Sequence, residues 1–204
     1  SLVAGDGPEV APATIRAVFH DRNAGKGAAL RTGLAAARGA VIVVQDADLE
    51  YDPADWEAMY DLVARHDLAD VVFGSRFGSR ACAFPSLRQY WANRLLSALF
   101  GLLYGPGLTD VEVCTKMFAR RVAERLHITC DDFGCEIEIA AQVSRARCWR
   151  IREVAIGYSG RTSRDGKKIG WRDGLKALWY LLRFRLQPVP LPRAGTAAAA
   201  VAPT

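Results

Sequence analysis

The sequence predicts an α/β protein: a mostly parallel sheet flanked by helices. Short runs rich in β-branched residues, Ile15 to Phe19, Val41 to Val44 and Val71 to Phe73, alternate with helix-forming stretches at 28–38 and from Pro53 to about His66. Strand, helix, strand, helix, strand is the order from which parallel sheets with helices on both faces are built. The residues best suited to chemistry follow the runs, Asp46 and Asp48 after the second and Arg76 after the third. That is the carboxyl rim of such a sheet, where ligands bind.

Residues 1–14 hold Gly5, Gly7, Pro8 and Pro12 with little periodicity and are expected to be loop. Ile15 to Phe19 is expected as a strand, running into the turn His20-Asp21-Arg22-Asn23-Ala24-Gly25-Lys26-Gly27. The helix after it carries Leu30 and Leu34 at i, i+4 spacing. A glycine-rich turn opening a helix offers free backbone N–H groups and a positive dipole end, which suit a phosphate or nucleobase. It is not a P-loop, because Gly27 stands where Ser or Thr is required.

Gly39 ends that helix, and the four residues Val41 to Val44 read as a strand buried on both faces. In extended backbone Asp46 and Asp48 project to the same side. Two such carboxylates make a seat for Mg²⁺ or Mn²⁺ together with phosphate oxygens, and Glu50, at the next even position, is a candidate third ligand. The competing reading is that these acids only end a strand and cap the helix after Pro53; the buried strand and the third acid favour the metal. Asp52 and Asp55 lie in the first turn of that helix, as its dipole prefers. Asp70 leads into Val71 to Phe73, which closes on Gly74-Ser75-Arg76.

Phe77 to Pro85 is expected to be loop, and Leu87 to Tyr104 a helix. Its continuous apolar part, from Leu95, is too short to span a bilayer, which leaves a core helix or one lying in a lipid interface. Gly105-Pro106-Gly107 ends it, and Thr109-Asp110 begins a segment through Cys114, Lys116 and Phe118. Val122 to Leu126 is expected to be helical. Another helix follows the acids of 131–138 and runs to about Arg145; there the acids serve either the dipole or catalysis. Cys148 to Tyr158, with Ile151, Val154 and Ile156 apolar, is expected as a final or edge strand. Gly160 to Gly170 is dense in cations and glycines, a loop that closes over a diphosphate or a solvated basic turn. Trp171 to Leu186 is amphipathic, with Trp171, Leu175, Leu178, Trp179 and Leu182 on a stripe flanked by Lys176, Arg183 and Arg185. That pattern suits a headgroup boundary or packing on a domain. Residues 187–204 form a Pro/Ala tail expected to be disordered, leaving 1–186 as one domain.

With 204 residues, half of them hydrophobic, the chain can bury one sizeable core. Its net charge of +5 is tilted towards the residues after Arg145, which favours an anionic partner. Five cysteines without a Cys-x-x-Cys pair suggest reduced thiols rather than a zinc site or disulfides. Neither a signal peptide nor an apolar run of roughly 20 residues is evident, so the expectation is a chain that is soluble or lies on a membrane. No nucleic-acid recognition fold is recognisable. A phosphatase with an Asp nucleophile also places Asp-x-Asp after a strand, but its companion motifs are not evident.

Taken together, Asn23 to Ala29, Gln45 to Glu50, Gly74-Ser75-Arg76, Thr109-Asp110, Phe133 to Glu138, and Gly160-Arg161-Thr162 with Gly166-Lys167-Lys168 resemble the dolichol-phosphate mannosyltransferase-like members of the family 2 inverting glycosyltransferases. The resemblance covers roughly residues 15–185. It implies a Rossmann-like GT-A fold and metal-dependent transfer of mannose or glucose, with inversion, from GDP-mannose or UDP-glucose to a polyprenyl phosphate. The setting it implies is the cytoplasmic membrane face. Asp46 and Asp48 then correspond to the metal and donor aspartates, with Glu50 at a third metal position. Lys26, Arg161 and Lys168 correspond to donor contacts, and Arg76, with Arg88 as a substitute, to acceptor-phosphate contacts. Asp110 and Glu138 correspond to acids facing the site, with Asp48, Asp110 and Arg161 the expected catalytic set. The family's first two strands, which hold the nucleobase, are not visible, so the sheet is expected to be N-terminally incomplete. The alternative is an inactive remnant that binds only nucleotide or membrane.

Overall fold

A computed structural model of the chain describes residues 15–78, 82–84, 86–105, 107–160 and 171–187. The expectations for 1–14, for the basic loop with Arg161 and Lys168, and for the tail from 188 onward lie outside the described residues.

The elements in order are α1 (Lys26–Ala36), β1 (Val41–Val44), a 3₁₀ turn (Pro53–Asp55) leading into α2 (Trp56–Tyr60) and a wider π turn (Asp61–Arg65), β2 (Val71–Ser75), β3 (Cys82–Ala83) and α3 (Leu87–Tyr104). Next come β4 (Lys116–Ala119), α4 (Arg120–Ala123), α5 (Cys135–Ala146), β5 (Ile151–Ala155), β6 (Tyr158–Ser159) and α6 (Trp171–Leu186). The main sheet has the order β1-β4-β2-β5, and β3 pairs with β6 in a small parallel ladder. β5 is parallel to β2, while β4 is antiparallel to both β1 and β2. Three of the four strands therefore point one way, with one reversed strand between them.

The reversed strand brings together what the site needs. Lys116, the first residue of β4, is level with Val44 at the end of β1 and with Phe73 in β2. The amino end of β4 thus shares a rim with the carboxyl ends of its neighbours, and the approach from Thr109 to Thr115 crosses that rim. β2 is the core of the sheet: Val71, Val72 and Phe73 are fully buried, each worth about 1.5–3 kcal/mol of burial.

α3 starts at Ser86, whose Oγ accepts from the Gln89 N–H at 3.2 Å, and ends at Gly105, where φ is 103°. It buries Leu96, Phe100 and Tyr104 and leaves Leu87, Trp91, Leu95 and Leu102 exposed, so it is a core helix along one face and open along another. α6 packs on α3 and α5, burying Leu181 and Phe184, with the Tyr104 hydroxyl donating to Leu181 O at 2.6 Å.

Several sequence expectations change. The stretch 77–85, expected as loop, contains β3; 148–158, expected as one strand, divides into β5 and β6 in two different sheets; and the helix expected over 122–126 is the single turn α4 at Arg120–Ala123. Ile15 to Phe19 is not a strand; Ile15 and Phe19 are 94% and 89% exposed, and an extended segment is held only where a neighbour completes its ladder. Among the described residues β1 pairs with β4 alone, and Val41 to Val43 are half-buried rather than enclosed on both faces. The stretch from Thr109 supplies the central strand β4. Its four residues are all buried, so no polar alternation marks it in the sequence.

Candidate active-site rim

β1 stops at Val44 and the chain bends over residues 47–51, so Asp46 and Asp48 do not continue an extended strand as expected. Leu49 takes a left-handed φ of 62°, and the Glu50 N–H donates to Asp48 Oδ1 at 3.2 Å. Asp48 is thus set by a local turn, whereas Asp46 is set by a partner 20 positions away. Asp46 Oδ2 receives Lys26 Nζ at 2.8 Å. Burial by itself would raise the Asp46 carboxyl, but the charge and hydrogen bond of Lys26 outweigh it and hold Asp46 below the usual range.

Lys26 opens α1 and reaches a second carboxylate, Glu136 of α5, at 2.7 Å. The other oxygen of Glu136 holds the fully buried Lys116. Burial would lower the pKa of Lys26; Glu136 and then Asp46 reverse this and keep it well above the ordinary value. A row of alternating charge results, Asp46, Lys26, Glu136, Lys116, reaching inward from the rim. The sequence placed Glu136 only among the acids of 131–138, serving either the dipole or catalysis, and did not single it out. The one available signal was a lysine at the head of an otherwise apolar stretch, which needs a buried partner.

The glycines before α1 serve this placement. Gly25 has φ of 94°, and a Cβ on Gly27 would lie 1.9 Å from Cys130 O. The Gly27 N–H donates to Asp131 O at 2.8 Å, and Ala28 N–H shares that oxygen. The expectation of free N–H groups for a phosphate at this turn is therefore corrected: the backbone of 130–131 takes them, and the glycines permit its close approach.

On the other side of the rim Arg76 and Asp110 form a buried two-pronged pair. Arg76 Nε and Nη2 donate to Oδ2 and Oδ1 of Asp110, both at 2.6 Å, and the Arg76 N–H adds a third bond at 3.0 Å. The pair is 6% and 0% exposed. Glu153 of β5 accepts from the Thr109 and Asp110 N–H groups, and Ser75 Oγ lies 2.7 Å from Thr109 Oγ1, so both strand ends are clamped together. The guanidinium sits over the rings of Tyr158 and Phe84 at 5.2 and 5.6 Å. It faces a cleft of about 660 Å³ lined also by Phe77, Ser86, Leu87 and Tyr90. Arg88 is exposed on the first turn of α3, one residue beyond the cleft wall.

Two acids lie elsewhere than expected. Glu138 does not face the rim; it is buried and accepts from the Thr129 and Cys130 N–H groups and the Thr129 hydroxyl, pinning the loop before α5. Its neighbour two positions earlier has the rim instead. Glu50 is 6% exposed, and its carboxylate accepts from the Tyr158 hydroxyl at 3.2 Å. Among the described residues no three His, Cys, Asp or Glu side chains gather to hold a metal ion, so Glu50 does not complete a three-acid site with Asp46 and Asp48. Two hard carboxylates nevertheless fit a divalent ion that takes its remaining oxygens from water and a diphosphate. Asp46 already carries a positive charge there, the Lys26 ammonium.

Glu112, between Asp110 and the start of β4, is a further group that sequence reasoning missed. Burial first, then the negative charge of Glu136, push its carboxyl up to about 7.

Residues 9–126 match the family model for glycosyl transferase family 2. The chain is 27% identical over 188 residues to the low-salt glycan biosynthesis hexosyltransferase Agl6 of Haloferax volcanii, an alignment spanning 90% of this chain and 43% of the relative. It is 29% identical over 165 residues to a dolichyl-phosphate beta-glucosyltransferase of Dictyostelium discoideum, covering 76% and 48% of the two chains. The chain thus spans about half the length of these relatives. Among solved structures it resembles glucosyl-3-phosphoglycerate synthase from Mycobacterium tuberculosis in complex with UDP, with a TM-score of 0.58 at 18% identity, over 84% of this chain and 57% of that one. At that identity the likeness establishes the fold, which is of the GT-A type.

Proposed function

The chain belongs to glycosyl transferase family 2, and from that premise we propose that it transfers a hexose from a nucleotide-diphosphate sugar to a polyprenyl phosphate, inverting the anomeric centre. The observation that carries this reading is one rim with a cation beside each of two places: Asp46 and Asp48 after β1 with Lys26 from the head of α1, where a metal would bridge the carboxylates to a diphosphate, and Arg76 before an aromatic cleft at the end of β2. The relatives' names, a dolichyl-phosphate beta-glucosyltransferase among them, support a polyprenyl phosphate acceptor.

A phosphate monoester has its second ionisation near 6. The acceptor is thus a nucleophile at neutral pH without a general base, and Asp110 acts by holding Arg76. Arg76, aligned by Asp110, binds the acceptor phosphate and offsets its repulsion from the donor. Lys26 faces the donor diphosphate, and Arg161 and Lys168 complete that clamp in this reading. Asp46 and Asp48 would hold Mg²⁺ or Mn²⁺, which would supply charge neutralisation for the leaving nucleoside diphosphate. Phe77, Phe84 and Tyr90 provide apolar wall for the first prenyl units. The rest of the rate comes from bringing phosphate oxygen and anomeric carbon into line.

No helix among the described residues is long and apolar enough to cross a membrane. The chain in this proposal lies on the cytoplasmic membrane face. The exposed Trp91, Leu95 and Leu102 of α3 and Leu175, Trp179 and Leu182 of α6 support that, as does Arg183 stacked 5.0 Å from the Trp179 ring.

The test is an incubation of the purified chain with Mn²⁺ or Mg²⁺, a short polyprenyl phosphate and radiolabelled UDP-glucose or GDP-mannose, followed by organic extraction. Label in the lipid phase identifies the donor and supports the reading. No label from either donor, with nucleotide still bound, would favour the binding-only remnant.

A further inference from the structure

The most open member of the charged row is also the one that the proposed chemistry needs. Lys26 Nζ lies 2.8 Å from Asp46 Oδ2 and 2.7 Å from Glu136 Oε1, with Asp46 32% exposed, Lys26 14% and Glu136 3%. Glu136 is anchored from behind by Lys116, which is fully buried. Lys26 starts a helix whose first turn is tied to Asp131 O. Its Cα and its inner partner are thereby fixed, and only the contact with Asp46 can be exchanged by a small swing of the side chain.

The Lys26 ammonium lies between two carboxylates, 2.8 Å from one and 2.7 Å from the other, so Asp46 is occupied by a cation before any metal arrives. A divalent ion bound to the same carboxylate would meet that ammonium at close range in a partly dry site, where like charges repel far more strongly than in water. A diphosphate changes the balance. It offers Lys26 a new anion within reach of the pivot at Glu136 and gives the metal extra oxygen ligands at the same moment.

We propose that Lys26 is an internal cation that competes with the divalent metal for Asp46 and yields that carboxylate only when a diphosphate takes its charge. The proposal rests on reading Asp46 and Asp48 as metal carboxylates. It makes metal and nucleotide binding mutually dependent, since coupling between two ligands is reciprocal. Without donor the site is closed to metal by its own lysine.

The test is Mn²⁺ titration of the purified chain, with free Mn²⁺ read by electron paramagnetic resonance, with and without UDP, and thermal melting as the check on folding. For Lys26→Met in the absence of UDP, Mn²⁺ should bind about 10-fold or more tighter than to the unaltered chain, and added UDP should strengthen Mn²⁺ binding less than it does there. Lys26→Gln, which keeps a polar side chain at the position while losing the charge, should move the same way and stands in if the Met variant does not fold. Unchanged or weaker Mn²⁺ binding in a folded variant would overturn the proposal and make Lys26 a residue that positions Asp46. That outcome leaves the metal reading intact so long as the unaltered chain binds Mn²⁺ with UDP. If neither chain binds Mn²⁺ even with UDP, the metal reading and this proposal fall together.

Discussion

Replacing Glu112 by Gln should make the chain more stable in alkaline solution and leave it nearly unchanged in acid. Glu112 is half-buried and is faced by Glu136 and Asp110 on one account and by Arg76 and Lys116 on the other. Those two cations are already bound, to Asp110 and Glu136, so an ionised Glu112 has neither to itself. Its carboxyl is raised by burial and by Glu136 from 4.5 to about 7. Between these values the folded chain keeps a proton that the unfolded chain has released, so stability falls as pH rises through the window and the loss is complete above it. At 1.36 kcal/mol per pKa unit the full loss slightly exceeds about 3 kcal/mol, and partial exposure reduces it to about 1–3 kcal/mol. The Gln side chain keeps the shape and carries no charge. Urea denaturation should therefore place Glu112→Gln about 1–3 kcal/mol above the parent at pH 8 and within about 0.5 kcal/mol at pH 4.5. Parallel pH profiles for the two chains, or a variant less stable at pH 8, would refute the reasoning and mean that Arg76 or Lys116 supports the ionised carboxylate.

Gly27→Ala drives a methyl into Cys130 O and should cost about 3 kcal/mol, lowering Tm by roughly 6–12 °C in a thermal scan. Asp110→Leu leaves Arg76 buried without its partner and should cost about 3–5 kcal/mol, whereas adding Arg76→Met to it should restore most of that, as a double-mutant cycle by denaturation would record. Asp48→Ala, at a half-exposed bend, should leave the melting temperature within a few degrees while lowering lipid-linked product in the transfer assay by about 1000-fold; retention of most activity would sink the metal assignment. Trp179→Ala with Leu182→Ala, both exposed on α6, should weaken co-sedimentation with anionic vesicles by about 10-fold or more, and no change would remove that helix from the lipid contact.

The helices were legible because their signals are local. Leu87 to Tyr104 has an apolar stripe between Ser86 and Gly105, and Trp171 to Leu186 repeats its stripe every three or four residues; the structure ends both helices at the residues named. Asp46, Asp48 and Arg76 could be assigned to one rim for a similar reason. Each follows a short β-branched run, and strands of one sense in an α/β sheet end on the same side. What those side chains do at the rim was less accessible. Arg76 looks like an open cation in sequence, whereas the fold commits two of its nitrogens to Asp110, 34 positions away.

The glycines show how a local signal can be right about conformation and wrong about purpose. Gly25 does adopt a positive φ, as turn chemistry suggests, but its neighbours' N–H groups meet the backbone of Asp131 rather than a ligand. Glu136 and Glu138 stand two apart on one helix; Glu138 caps a loop and Glu136 joins two lysines. Nothing within a turn of either residue separates these fates.

The sequence by itself determined the helices of 87–104 and 171–186 and which acids and bases follow β1 and β2, because propensity, capping and hydrophobic period act over a few residues. Only the tertiary structure decided that β4 runs backwards through the middle of the sheet. That reversal sets Lys116 beside Glu136, 20 positions on, and so anchors the carboxylate that Lys26 bridges to Asp46. Charges so far apart in the chain find one another only when a sheet fixes their strands side by side, and buried charges must find a partner or forfeit the stability of the fold.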